Sequence, residues 1–147
     1  MNEIALMREI AKLQGQIDSL RTIEVGGVWQ DWTPATSNIT VGNGTLTGRY
    51  CAIGKFCRVN ISFTLGSTSS ITGYQIYGLP FTSTNYVWTS NAFGLNDGIG
   101  WYQGMCIYHD STSLRIETIG GGWWSGTHPI AFAENDIIVI NHTYKIA

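Results

Sequence analysis

The 147 residues leave room for one domain of ordinary size and a short extra element at one end, not for two full domains. Charged residues make up only 12 % of the chain while glycine reaches 18 residues and aromatics 12 %, a profile of turn-rich β-structure rather than of a helical bundle. The formal net charge is −2, and the basic residues beyond position 24, Arg49, Lys55, Arg58, Arg115 and Lys145, are scattered, which excludes a nucleic-acid surface built on clustered Lys and Arg.

Residues 1–25 predict a coiled-coil oligomerisation stalk. Leu6, Ile10, Leu13, Ile17 and Leu20 recur at spacings of four and three, which puts Ile10 and Ile17 at heptad position a and the three leucines at d. Polar Gln14, Gln16 and Asp18 between them favour a self-associating seam. Met7 and Ile23 widen the stripe, so an amphipathic helix packed on its own domain is the alternative. A helix this short is marginal alone and needs help from the rest of the chain or from a surface onto which it docks. Ile at a with Leu at d leans toward dimers, a rule weakened here by Glu3 and Glu24 at the outer a positions.

Gly26-Gly27 ends the helix, and Pro34, Ser37 and Asn38 keep the next stretch out of helix. Residues 26–147 predict an all-β knob, an antiparallel β-sandwich of jelly-roll-like kind. From Arg58 to Leu65 every second residue is apolar, which places Val59, Ile61, Phe63 and Leu65 on one buried face. Thr45 to Ile53 forms the preceding strand, joined through Gly54-Lys55 in a tight hairpin. Further strands are predicted at Tyr74 to Leu79, Tyr86 to Leu95, Gly100 to Tyr108, Leu114 to Thr118 and Ile137 to Ile146. Turn chemistry separates them at Gly66 to Ser70, Asn96-Asp97-Gly98 and Asp110 to Ser113.

Cys51, Cys57 and Cys106 form no CxxC pair and no disulfide framework, and are expected as small buried apolar side chains. The first residues lack a secretory pattern and no run is long and apolar enough for a membrane span. Assembly in a reducing cytoplasm, without membrane insertion, is the expectation.

Three stretches stand in a distinctive order: Trp29-Gln30-Asp31-Trp32-Thr33-Pro34 opens the knob, Gly42-Asn43-Gly44-Thr45-Leu46-Thr47-Gly48-Arg49-Tyr50 leads into the alternating strand, and Pro129-Ile130-Ala131-Phe132 leads through Asn135-Asp136 to Thr143-Tyr144. This order, over most of residues 29–147, resembles a β-sandwich knob domain near the C-termini of tail-fibre-like and other virion surface proteins of tailed bacteriophages and prophages. The resemblance implies a homotrimeric knob with no catalytic machinery and a variable outer surface, carried on a virion assembled in the host cytoplasm. The expected function is that of a non-enzymatic structural protein of tail-fibre type. Its stalk would contact other virion proteins, and its outer surface a host glycan or protein. Capsid decoration, as a cement or head-fibre protein, is the alternative, and a free carbohydrate-binding, lectin-like module a further one.

Among candidate chemistry-bearing residues, Asp97, Asp110 and Asp136 fall in predicted turns, where Asp caps local backbone. Glu117 alternates outward beside Leu114 and Ile116, and no catalytic residue, cofactor or metal is expected. His109, His128 and His142 never recur at metal-ligand spacing, so only convergence of one His from each of three chains on a symmetry axis would make a site. The aromatics are the candidate receptor, partner or subunit contacts: Trp88, Trp101, Tyr102, Trp123 and Trp124 lie in or beside Gly-rich segments, and their flat faces suit sugar rings or protein anchors. Core packing competes for Trp88 and Trp101. Trp123 and Trp124 follow Gly120-Gly121-Gly122, a predicted loop or bulge. As neighbours in an extended segment they must point to opposite faces, one into the core and one toward a subunit or an outward surface.

Overall fold

Glu3 opens helix α1 (Glu3–Glu24) with a negative charge in its first turn, against the positive end of the helix dipole. Leu, Met, Ala, Lys, Arg, Gln and Glu, good helix formers, supply most of the helix, with Gly15 as the one glycine in its interior. The computed structural model describes residues 3–24, 27–84, 92–119 and 122–147, with side chains in the helix as far as Ile17. Every one of those side chains is exposed, and Leu6, Ile10, Leu13 and Ile17 each keep about half their surface in water. Residues 3–17 therefore do not pack their apolar stripe on the chain's own domain. The side chain of Leu20 lies outside the described residues.

From Gln30 onward the described elements are β-strands: β1 (Gln30–Trp32), β2 (Thr36–Thr40), β3 (Thr45–Ile53), β4 (Phe56–Thr64), β5 (Ser70–Gly78), β6 (Ala92–Asn96), β7 (Trp101–Asp110), β8 (Ser113–Thr118) and β9 (Ile137–Lys145). All pairings are antiparallel, in the order β1-β3-β4-β9-β6-β7-β8-β5-β2. Laid flat, β3 and β2 would be roughly 34 Å apart, seven strand spacings. The link between them, Val41–Gly44, stretches to about 18 Å at most. The hydrogen-bonded run must therefore fold over. Two four-stranded antiparallel halves, β1-β3-β4-β9 and β7-β8-β5-β2, face each other with short β6 bridging them.

The core lies between the halves. Ile61 and Phe63 of β4 and Ile138 and Ile140 of β9 pack with Tyr77 of β5, Cys106 of β7 and Ile116 of β8. The alternation read in β4 holds, since Val59, Ile61, Phe63 and Leu65 are all at most 4 % exposed. Opposite the helix, the loops clasp each other. The Asn43 N–H donates to Thr68 Oγ1 at 2.8 Å, and the Thr68 N–H donates to Asn43 Oδ1 at 2.9 Å. The three cysteines are buried and free.

Two strands fall where the sequence placed only a junction. β1 is three residues long, and β2 carries Asn38 at φ 63°, a bulge that shifts its register on β5 and erases period-two patterning. β5 begins four residues earlier than expected, at Ser70. Of the strand expected at Tyr86 to Leu95, residues 86–91 lie outside the described residues, and β6 covers the remainder.

Candidate contact surfaces at the two ends of the knob

Strand register fixes which residues share an end. Ile53, Phe56 and Lys145 align at one end of β3, β4 and β9, and Thr45, Thr64, Ile137, Asn96 and Trp101 align at the other. The helix enters at the first end, which we call the base: the Cys51 thiol donates to the Gly27 carbonyl at 2.8 Å, tying the first described residue after the helix to β3. The opposite end is the tip. Exposed large apolar side chains outside the helix divide between them, with Val28, Trp29, Ile53, Phe56 and Phe81 at the base and Ile99, Trp101, Ile119 and Trp123 toward the tip.

Toward the tip, residues 122–125 wedge between β8 and β5. The Thr118 N–H donates to the Gly122 carbonyl at 2.9 Å, the Trp124 N–H to the Ile116 carbonyl at 3.3 Å, and the Gln75 N–H to the Trp124 carbonyl at 3.3 Å. Gly122 makes the entry at φ 121°, a backbone angle that side-chain-bearing residues rarely adopt. Extended backbone then sends the two tryptophans to opposite faces. Trp124 is fully buried, its ring 6.1 Å from that of Phe132. Trp123 is 52 % exposed.

The outward ring of Trp123 is held in place from beneath. The Arg115 guanidinium lies 5.6 Å from its centroid, the Tyr74 ring meets it edge-on at 4.8 Å, and Tyr74 in turn contacts His109 at 5.8 Å. Arg115 is fixed by Glu117 at 2.9 Å, a pair largely covered by the surrounding sheet. Trp101, on the same outer face of β7, is 67 % exposed. Its ring lies over β6, where a Cβ on Gly94 would stand 3.4 Å from two of its carbons. Trp101 is four residues along β7 from Met105, whose neighbour across the ladder is Glu117, itself bridged to Trp123. The backbones of the two tryptophans are therefore roughly 16 Å apart. An open groove of about 430 Å³, lined by Ser37, Ile76, His109, Asp110 and Ser113, continues this face toward the base.

The other expected contact residues are placed differently. Tyr102 turns inward and packs against the core, its hydroxyl bonded to Asp97. Trp124 belongs to the core itself, so the outward role in the pair falls to Trp123. Trp88 lies outside the described residues. Asp97 does cap its turn: it accepts from the N–H groups of Gly100 at 2.7 Å and Ile99 at 2.9 Å, bonds that hold its carboxyl below the usual carboxylate range. Asp110 likewise accepts from Thr112, and Asp136 from the Ala133 N–H at 2.8 Å. Burial pushes the Cys106 thiol up to about 12 and the His142 imidazole down to about 4. Among the described residues no three His, Cys, Asp or Glu converge as a metal site, and no helix is long and apolar enough to cross a membrane.

Sequence reasoning missed Tyr74, His109 and Arg115. The signal was present only as two-residue alternation: Arg115 and Glu117 share a parity in β8, and Tyr74 shares that of Ile76 in β5. The approach of Trp123 to these three depends on the wedge of residues 122–125, which no local pattern announces. No family model, curated protein or solved structure matches the chain.

Proposed function

We propose that this chain is a non-enzymatic structural protein of a bacteriophage particle, a homotrimer whose helices form a coiled-coil stalk and whose β-sandwich knob, of jelly-roll-like kind, contacts the host surface. The observation that carries the proposal is the division of exposed apolar surface. The helix keeps an unburied Leu6, Ile10, Leu13 and Ile17 seam, whereas the far end of the knob presents Trp101 and Trp123 as supported aromatic faces. One end suits attachment and self-association, the other recognition. The ordered stretches at Trp29, Gly42 and Pro129 support the assignment to a virion by their resemblance to tail-fibre-like knobs.

Electron microscopy of particles carrying a label on this chain tests the assignment. Label on the tail supports host contact, an icosahedral distribution over the head moves the protein to capsid decoration, and particles without label refute the virion reading. Replacing both tip tryptophans, Trp101→Ala with Trp123→Ala, is expected to leave a folded oligomer and to reduce cell binding at least tenfold. Unchanged binding by this variant would remove recognition from the tip.

A further inference from the structure

The base of the knob carries an apolar groove that the stalk seam does not account for. Trp29, Ile53 and Phe56 line an opening of about 410 Å³ whose wall includes Gly27, the first described residue after the helix, and Arg58 stands at its side. Ile53 and Phe56 are 47 % and 59 % exposed, and Val28, which precedes Trp29 in the chain, is 72 % exposed. An apolar cluster of this kind, next to an unpaired helical seam, is a contact surface awaiting a partner.

Length and girth say which partner. A stable specific interface buries about 800 Å² on each side. A few half-exposed aliphatic side chains on one short helix fall well short of that. The path from Glu24 to Gly27 is three residues, about 11 Å at full stretch. A domain of the knob's size has a radius of gyration of about 14 Å. Packed helices lie about 8–10 Å apart. Were the helices to associate in parallel, tethers so short could not hold such domains apart, and their bases would meet around the axis. In an antiparallel arrangement the bases would lie about 33 Å apart, at opposite ends of the helices, with their grooves in water.

We infer that the helices associate in parallel and that the groove at the base, with Phe56 in its wall, receives the neighbouring copy's Val28, forming a second, knob-to-knob interface that completes the short stalk. This rests on the self-association proposed above. Each copy gives an apolar edge to the next and takes one in return, the head-to-tail arrangement of a closed ring. Arg58 and the Arg49–Asp31 ion pair, at 3.1 Å, form its polar rim.

The test is dilution of the full-length chain followed by light scattering. It compares the parent with Val28→Asp/Phe56→Asp and with Ile10→Asp/Ile17→Asp. The base variant is expected to dissociate at a concentration at least tenfold above that of the parent, with its β circular dichroism unchanged. Val28→Asp alone, in a residue outside any strand, is expected to shift dissociation at least threefold, and it decides the matter if the double variant does not fold. Dissociation of the base variants at the parent's concentration, with the seam variant falling apart, overturns the knob-to-knob interface and leaves the stalk standing. A parent that is monomeric at every concentration overturns both.

Discussion

Trp123 and Trp124 are adjacent copies of the same side chain with opposite surroundings, and the difference is set by three backbone hydrogen bonds that hold residues 122–125 extended between β8 and β5. Trp124→Ala removes a fully buried indole and is expected to cost about 3–5 kcal/mol in denaturant unfolding. Trp123→Ala, which loses contacts with Arg115 and Tyr74 at a half-exposed position, is expected to cost less than about 1 kcal/mol. Alternation predicts that one ring faces in and one out. Which one is decided by Gln75 and Ile116, far away in the chain, so the sequence alone could not choose.

His142 supplies a pH test at the same scale. It is buried in β9 with the rings of Tyr108 at 5.2 Å and Tyr144 at 6.0 Å, and burial lowers its pKa to about 4 from an unfolded value near 6.5. Between those values the unfolded chain binds a proton that the folded chain does not. Its contribution is complete above about pH 6.5, falls as the pH drops, and levels off near pH 4, a loss of about 3 kcal/mol. Unfolding of the parent and of His142→Phe is expected to diverge over that window, the variant losing less stability. Parallel curves would place a charged or solvated imidazole at this position.

Among the elements, α1 offers the sharpest check. In the seam phase set by Leu6, Ile10, Leu13 and Ile17, Gly15 falls at position f, the outermost of the heptad. A Cβ built there meets nothing within 4 Å. Gly15→Ala is therefore expected to stabilise the helix by about 1 kcal/mol per chain and to raise the thermal midpoint of its circular dichroism signal. A lower midpoint would mean that Gly15 faces a partner and that the seam is out of phase. The strands differ in how visible they were. β4 was legible because one face is buried along its whole length, and β3 because the Gly54-Lys55 turn joins it to β4. β1 and β2 were not, because a three-residue edge strand and a strand bulged at Asn38 carry too little periodic burial to read. The candidate contact site was legible only as a set of aromatics. Its supports, Arg115, Glu117 and Tyr74, are ordinary strand residues until the sheet brings them together.

At the scale of the whole molecule, the fold-over of the sheet follows from one short loop between strands that are far apart in hydrogen-bonding order, a long-range pairing that no local pattern encodes. Its consequence is polarity. The same register that buries Phe63 and Ile140 sends Phe56 to the base and Trp101 to the tip, so the knob has one end beside the helix and one facing away from it. The proposed assembly at the helix and base is the premise on which the proposed display of the tip depends. Sedimentation equilibrium of the 147-residue chain tests it most directly: a species of three times the 16.2 kDa chain mass is expected at micromolar concentration, lost on Ile10→Asp with Ile17→Asp. A single species of 16.2 kDa under those conditions would contradict it.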